Sequence, residues 1–236
     1  MPTSRNQAWR EIWEAKGRRS SGELHTIDGY DLLSAAEWEK MIATLAAPFA
    51  LRPGMRVTEL GCGAGAFLSA LRKLDPGLQL TGLDYAASLI EIARTRLAGN
   101  FLVGDIRECP AVGTASADLT CSFGVLLYLD SEADVRRALG EIDRVTKPGG
   151  QIYVGEVSDL AKREAALEQR KSTHAAHDRV SPKVIDHLYL PKELFRAEAR
   201  RLGWTNVRIV DHADLPELAG NPLAGYRYSI YADKPR

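Results

Sequence analysis

The 236-residue sequence contains few cysteines: Cys62, Cys109 and Cys121. Three cysteines at irregular spacing exclude a disulfide framework and a CxxC metal site. The sequence also lacks a signal-peptide core and any run of about 18 apolar residues, the length that spans a bilayer. We therefore expect a cytoplasmic protein in a reducing compartment, with no membrane partner.

Neither charge is in excess, because Lys plus Arg and Asp plus Glu each number 31. A neutral chain without a basic stripe has little to attract nucleic acid. The hydrophobic content of 45% is sufficient for a core. The composition therefore predicts one globular unit with a small-molecule partner.

The segment "TELGCGAGAF", residues 58–67, follows the short apolar strand "MRVTEL" and carries three closely spaced glycines. Such glycines let the chain turn sharply and let a ligand approach bare backbone. The helical pattern "AFLSALRKL" comes next, which gives the strand, loop and helix order of a nucleotide site. The loop alone allows two ligands: a dinucleotide that carries hydride, or a sulfonium that carries a methyl group.

Strands and helices alternate after the loop, which predicts a parallel sheet covered by helices on both faces. Amphipathic helices over 5–16 and 36–49 precede the loop, and we expect residues 1–49 to form a helical cap on the same unit. Residues 50–236 form the main domain. After the fifth strand, a polar stretch over about 159–190 is predicted to be a lid insertion, and a helix and two strands complete the chain.

Acidic residues stand at the ends of three consecutive strands. Glu59 lies two residues before the first glycine, where a carboxylate would repel a pyrophosphate and favours a cation. Asp84 lies about 20 residues beyond the loop and can accept hydrogen bonds from both ribose hydroxyls. Asp105 could accept one from an adenine amine. Each alone could be a cap or turn residue, but the three together predict a site for a cationic nucleoside.

The segments "TELGCGAGAF", "LTGLDYA", "VGDI", "ADLTCSFGVLLYL" and "RVTKPGGQIYVGE", in this order, resemble class I S-adenosylmethionine-dependent methyltransferases of the small bacterial, small-molecule type. The resemblance covers about residues 50–158. It implies an α/β, Rossmann-like, doubly wound seven-stranded sheet in the order 3-2-1-4-5-7-6, with the last strand antiparallel. The implied cofactor is S-adenosyl-L-methionine.

The resemblance also implies cofactor-binding residues at matching positions. They are Glu59, Gly61, Cys62 and Gly63 for the methionine part, Asp84 and Tyr85 for the ribose, Gly104, Asp105 and Ile106 for the adenine, and Ser122 and Phe123 along the cofactor's flank. The N-terminal "WREIWEAKG" and "DGYD" are similar to caps that close over the cofactor, which adds Trp13, Lys16 and Tyr30, although Trp13 could instead pack in the core.

Two other functions are compatible with a chain of this size. One is a short-chain dehydrogenase that uses NAD(P), but none of the eight tyrosines is followed by the required lysine four residues later. The other is a non-catalytic cofactor-binding protein on the methyltransferase fold.

The acceptor is expected to be a small molecule of specialised metabolism. Residues 122–125, "SFGV", stand where the resembled amide and adenine amino methyltransferases have an Asn/Asp-Pro-Pro-aromatic loop, which disfavours DNA-base methylation. Whether oxygen, nitrogen or carbon accepts the methyl group stays open.

Catalytic candidates occur in the polar stretch and at strand ends. His174, His177 and His187 could supply a general base, bind a metal ion or lie in solvent; the pattern is weak for a metal, and we expect none. His187 is the favoured base, because it immediately precedes the apolar "LYL". Tyr128 and Glu156 follow the fourth and fifth strands, where each could orient the acceptor or serve as a capping or rim residue.

Overall fold

The structure, a computed structural model, describes residues 5–19, 21–176 and 186–236, with the backbone alone for residues 170–176. Its sheet has seven strands in the order 3-2-1-4-5-7-6. Neighbouring strands pair in parallel except β7, which is antiparallel to both β5 and β6. The predicted fold is therefore confirmed. The strands are β1 (Arg56–Leu60), β2 (Gln79–Asp84), β3 (Asn100–Val103), β4 (Ala117–Phe123), β5 (Thr146–Ser158), β6 (Thr205–Asp211) and β7 (Arg227–Asp233).

Eight α-helices are found in the described part of the chain. They are α1 (Arg5–Arg19), α2 (Leu24–Ile27), α3 (Ala35–Ala46), α4 (Ala66–Leu74), α5 (Ala87–Arg96), α6 (Glu132–Val145), α7 (Arg163–Ala176) and α8 (Lys192–Leu202). The segment between α1 and α3 contains the single turn α2. Helix α3 ends at Ala46, earlier than expected, and a 3₁₀ turn with Pro48 in its first positions follows it. None of the described helices is long and apolar enough to cross a membrane.

Hydrophobic side chains pack on both faces of the sheet. One cluster joins α3 and α4 to the sheet through Trp38, Met41, Phe49 and Phe67. The Phe67 ring stacks on Phe123, with 4.7 Å between centroids. The other cluster packs α6 and α8 against the opposite face. Because α3 shares the first cluster, the N-terminal residues are fixed beside the carboxyl ends of the strands.

Strand β5 is irregular near its carboxyl end. The β5–β7 register shifts between Val154 and Val157. Within this shift Glu156 has φ +57°, a left-handed conformation that costs a residue other than glycine about 1 kcal/mol or more. Bulges of this kind re-aim side chains and are frequent beside functional sites. Glu156 here lines the cavity described next.

Candidate functional site

A cavity lies at the carboxyl ends of the central strands, the edge where sites form in open α/β sheets. The glycine loop, the N-terminal residues and the loops after β2, β3, β4 and β5 all contribute to its wall. Among the described residues of that wall, four are acidic and one is an arginine: Asp28, Glu59, Asp84 and Glu156 against Arg227. The cavity therefore favours a cationic ligand.

Asp84 holds the glycine loop in place. Its Oδ2 accepts from the Gly63 amide at 2.9 Å, and its Oδ1 accepts from the Ala86 amide at 2.8 Å. Burial raises the pKa of this carboxyl to about 6, although both backbone hydrogen bonds lower it. Asp84 is thus a structural residue of the loop as well as a cavity residue.

Glu59, the residue before the last in β1, is buried, with only 2% of the residue exposed. Burial, together with the charges of Asp28 and Asp84, raises its pKa well above the usual range. Its Oε2 is buried and has no hydrogen-bond partner in the part of the chain that the structure describes. A buried acceptor of this kind is costly unless a donor reaches it, so the position fits a ligand ammonium group.

Asp28 reaches the loop from the turn after α2. Its Oδ1 accepts from the Ala64 amide at 2.7 Å and its Oδ2 from the Ala66 amide at 2.9 Å. Burial and the Asp84 charge raise the pKa of Asp28 to about 7, against the effect of these hydrogen bonds and of Lys16. Lys16 and Tyr30 were expected in this region from the sequence, whereas Asp28 was not, although it is the first residue of the "DGYD" segment.

Most of the other expected cofactor residues also line the cavity. In the glycine loop these are Gly61, Cys62 and Gly63, and farther along the wall they are Trp13, Tyr30, Tyr85, Gly104, Ile106 and Phe123. Burial raises the pKa of the Cys62 thiol well above its usual range, which is the opposite of what a reactive thiolate needs.

Three expected cofactor residues do not line the cavity: Lys16, Asp105 and Ser122. The Lys16 ammonium instead lies over the Trp13 ring, 5.0 Å from its centroid. The Asp105 carboxylate is held by the Arg107 side chain, with Oδ1–Nε at 2.9 Å and Oδ2–Nη2 at 2.6 Å. Ser122 is buried within β4, and its Oγ has no protein partner. The sequence pattern placed Asp105 and Ser122 at the correct strand ends, but side-chain pairing and strand burial decide their surroundings.

Aromatic side chains from α1 and two later loops meet at one side of the cavity. The Trp9 ring lies 4.8 Å from Tyr128 and 5.4 Å from His187, measured between centroids. Trp13 and His187 each contact Tyr128 edge to face, at 5.4 and 5.5 Å. Trp13, Tyr128 and His187 line the cavity, whereas Trp9 packs behind them.

The other two histidine candidates cannot be placed in the same way. His177 lies outside the described residues, and His174 belongs to the part of α7 described by its backbone alone. The expected lid, about 159–190, begins with a 3₁₀ turn and α7, and its described residues Gln169 and His187 line the cavity.

Glu156 is backed by a chain of buried polar groups. Its Oε1 lies 3.0 Å from His212 Nδ1, and His212 Nε2 lies 2.7 Å from Ser229 Oγ. Ser229 Oγ in turn lies 3.0 Å from the Tyr153 hydroxyl. Although burial opposes ionisation, contact with His212 and the Arg227 charge lower the pKa of Glu156. A buried, ionised carboxylate is thereby held at the cavity wall.

Arg227 at the start of β7 completes this group. Its Nε lies 3.7 Å from Glu156 Oε2 and has no hydrogen-bond partner among the described residues. Its Nη1 donates to the Glu156 carbonyl oxygen at 3.2 Å. Sequence patterns gave no signal for His212 or Arg227. The pairing of β5 with β7 brings Arg227 to Glu156, and the pairing of β6 with β7 brings His212, which follows β6.

Comparisons with known proteins agree with this geometry. Residues 58–154 match a family described as a methyltransferase domain. The chain is 30% identical over 162 residues to a malonyl-[acyl-carrier protein] O-methyltransferase of Pectobacterium atrosepticum, covering 67% of this chain and 60% of that protein. It is 32% identical over 136 residues to a demethylmenaquinone methyltransferase of Thermotoga maritima, covering 54% and 56%. The aligned parts therefore span less than two thirds of these relatives.

A solved structure extends the likeness to the whole fold. Phosphoethanolamine N-methyltransferase 1 of Haemonchus contortus, in complex with phosphoethanolamine and S-adenosylhomocysteine, superposes with a TM-score of 0.69 at 14% identity. The superposition covers 100% of this chain and 50% of that one. Taken with the strand order and the matched residues 58–154, the chain carries a class I S-adenosylmethionine-dependent methyltransferase domain.

Proposed function

We propose that this protein transfers the methyl group of S-adenosylmethionine to a small-molecule acceptor. The observation that carries the proposal is the acidic wall around the glycine loop, with the unpartnered Glu59 Oε2 at its centre. Such a wall suits the ammonium and sulfonium of this cofactor and disfavours the pyrophosphate of a dinucleotide. When bound, the cofactor supplies a methyl group on a good leaving group.

The cofactor-binding roles follow from where the residues lie. Glu59 accepts a hydrogen bond from the ligand ammonium, and Asp84, at the end of β2, accepts from the ribose hydroxyls while it holds Gly63. Tyr85 forms the wall beside the ribose, and Ile106 forms the wall beside the adenine. Asp105, whose carboxylate is also held by Arg107, is proposed to accept from the adenine amine through its remaining lone pairs.

The acceptor is proposed to lie between the aromatic side of the cavity and Glu156. Methyl transfer from a sulfonium needs mainly alignment of donor and nucleophile away from water. The rings of Trp13 and Tyr128 provide a dry wall, while Glu156 and Arg227 offer a carboxylate and a guanidinium to the polar part of the acceptor. A cavity of this kind fits a metabolite as the methyl acceptor, and we propose no nucleic-acid partner.

His187 is proposed as the proton acceptor for any acceptor that is protonated at working pH. A histidine suits this task because its usual pKa lies close to neutral pH. The imidazole lines the cavity and is packed against Trp9 and Tyr128, so it is positioned by contacts on two sides. Tyr128 then acts as a positioning residue.

The proposal includes a cytoplasmic location and a role in specialised metabolism. All three cysteines are free and buried, which suits a reducing compartment. The acceptor that is methylated decides the metabolic role.

Isothermal titration calorimetry tests the cofactor. We expect S-adenosylmethionine and S-adenosylhomocysteine to bind and NADH and NADPH to give no heat. Tight nicotinamide binding with no response to either sulfur ligand would refute the proposal and favour an oxidoreductase. A turnover assay with radiolabelled methyl donor and a metabolite panel then separates an enzyme from a non-catalytic binding protein.

A further inference from the structure

The N-terminal segment, defined here as residues 5–19 and 21–33, supplies a carboxylate to the start of α4. Gly65, the N-cap residue of α4, has no side chain that could cap the helix. Asp28 takes this part instead, accepting from the Ala64 and Ala66 amides at 2.7 and 2.9 Å. Free amides at a helix start bind anions, including the phosphates of nucleotides. In this protein Asp28 already occupies the Ala64 and Ala66 amides.

The same segment caps the next helix at the site. The N-cap residue of α5, Ala86, makes no side-chain cap. Glu14 on α1 accepts from the Ala87 amide at 2.6 Å and lies 3.4 Å from the Ser88 amide. Contact between α1 and α5 is close, since a Cβ on Gly17 would meet Ser88 Oγ at 2.3 Å. The helices that follow β1 and β2, α4 and α5, are thus both capped at their first turns by acidic side chains of the N-terminal segment.

Gly63 has a specific part in this arrangement. A Cβ at this position would lie 2.4 Å from Asp28 Oδ1, and the residue has φ +54°. The glycine therefore makes room for a carboxylate of the protein itself. From the sequence, the middle glycine of the loop was expected to let a ligand approach closely. It also lets Asp28 of the N-terminal segment reach the loop.

The charged groups around Asp28 also disfavour a phosphate ligand. The groups that interact with Asp28 are Lys16 from α1, Asp84 from β2 and Glu59 from β1. A phosphate entering here would lose the two amides and meet several carboxylates, whereas a cationic ligand would be attracted.

We infer that Asp28, supported by Glu14, attaches the N-terminal segment to the glycine loop and selects a cationic, phosphate-free nucleoside as the ligand of this site. The inference rests on the proposed function, because it takes S-adenosylmethionine as that ligand. It assigns Asp28 as a positioning and specificity residue. Binding of the cofactor and ordering of the N-terminal segment are then coupled.

The experiment compares wild type with Asp28→Asn, Glu14→Gln and the control Glu23→Gln, whose side chain lies at an exposed position of the same segment. Calorimetry with S-adenosylhomocysteine should show affinity at least about tenfold weaker for Asp28→Asn, a loss of about threefold for Glu14→Gln, and no change for the control. Titration with ADP should show binding to Asp28→Asn alone, because the backbone amide that faces the new Asn NH2 group loses its acceptor and becomes available to a phosphate.

Hydrogen exchange supplies a readout that simple loss of stability would not move. In wild type, S-adenosylhomocysteine should protect the amides of the N-terminal segment, and in Asp28→Asn this protection should be lost while the sheet amides stay protected. If Asp28→Asn binds S-adenosylhomocysteine normally and its N-terminal segment is still protected, the inference is wrong. If wild type itself binds no S-adenosylhomocysteine, the proposed function fails instead.

Discussion

The affinity for S-adenosylhomocysteine should rise with pH, because two carboxyls of the ligand-free cavity titrate near neutrality. Burial raises the pKa of Asp28 to about 7 and that of Asp84 to about 6. A ligand ammonium beside them favours the ionised forms, so binding must release protons wherever these groups are still protonated. Affinity is therefore lost as the pH falls through these values.

The size of the effect follows from the ionised fractions. Between pH 6 and pH 7.5 the ionised fraction rises about eightfold for Asp28 and about twofold for Asp84. Together these give an affinity about 16-fold higher at pH 7.5 if both groups are fully ionised in the complex and Glu59 keeps the same protonation state over this range. Stability of the ligand-free protein should change in the opposite sense. A carboxyl whose folded pKa is raised above the unfolded value of 3.8 loses stabilisation as the pH rises towards 6 to 7.

Calorimetry at both pH values, in two buffers of different ionisation enthalpy, measures the affinity and the protons released. In Asp28→Asn the pH dependence should shrink to the roughly twofold part that remains with Asp84. Glu23→Gln should keep the full dependence. A dissociation constant that is equal at pH 6 and pH 7.5, or lower at pH 6, would show that these carboxyls are not ionised against the ligand.

Three substitutions test other parts of the site. Asp84→Ala should weaken S-adenosylhomocysteine binding by about 1.5 to 3 kcal/mol in calorimetry. It should also lower the melting temperature, because the Asp84 carboxylate holds the glycine loop. An unchanged dissociation constant would show that Asp84 is only a turn residue. Glu156→Gln should cost about 3 kcal/mol in urea unfolding by leaving Arg227 without its buried counter-charge. The control Glu132→Gln, in an exposed ion pair, should cost at most about 0.5 kcal/mol, and equal losses would refute the argument. Once an acceptor is known, His187→Ala should lower turnover about 10²-fold with cofactor affinity nearly unchanged, and normal turnover from pH 6 to 9 would exclude it as the base.

Local patterns were sufficient to predict the sheet and one side of the site. Alternating strands and helices require parallel pairing, and parallel strands bring their carboxyl ends to one edge. For this reason Glu59 and Asp84, which are 25 positions apart in sequence, could be expected to share a cavity, as they do. Expectations for His174 and His177 stay untested, and the separate domain bounds of the cap and the lid stay predictions.

These local patterns could not predict contacts between side chains that are far apart in the sequence. Asp28 caps a helix that begins 38 residues later, and no local pattern records that pairing. Asp105 stands at the predicted strand end, yet the neighbouring Arg107 takes its carboxylate. His212 reaches Glu156 only through antiparallel pairing of β7 and a bulge in β5.

The sequence by itself determined the α/β class, the strand order implied by its resemblance, and an acidic glycine-loop site for a sulfonium cofactor, because each depends on periodicity or on residues close together in the chain. The tertiary structure decided which acids face the cavity, which are neutralised by neighbours, and which groups lie opposite the cofactor-binding residues. Hydrogen bonds and burial depend on distance in space, so Asp28, Arg227 and His212 acquired their places only when the chain folded.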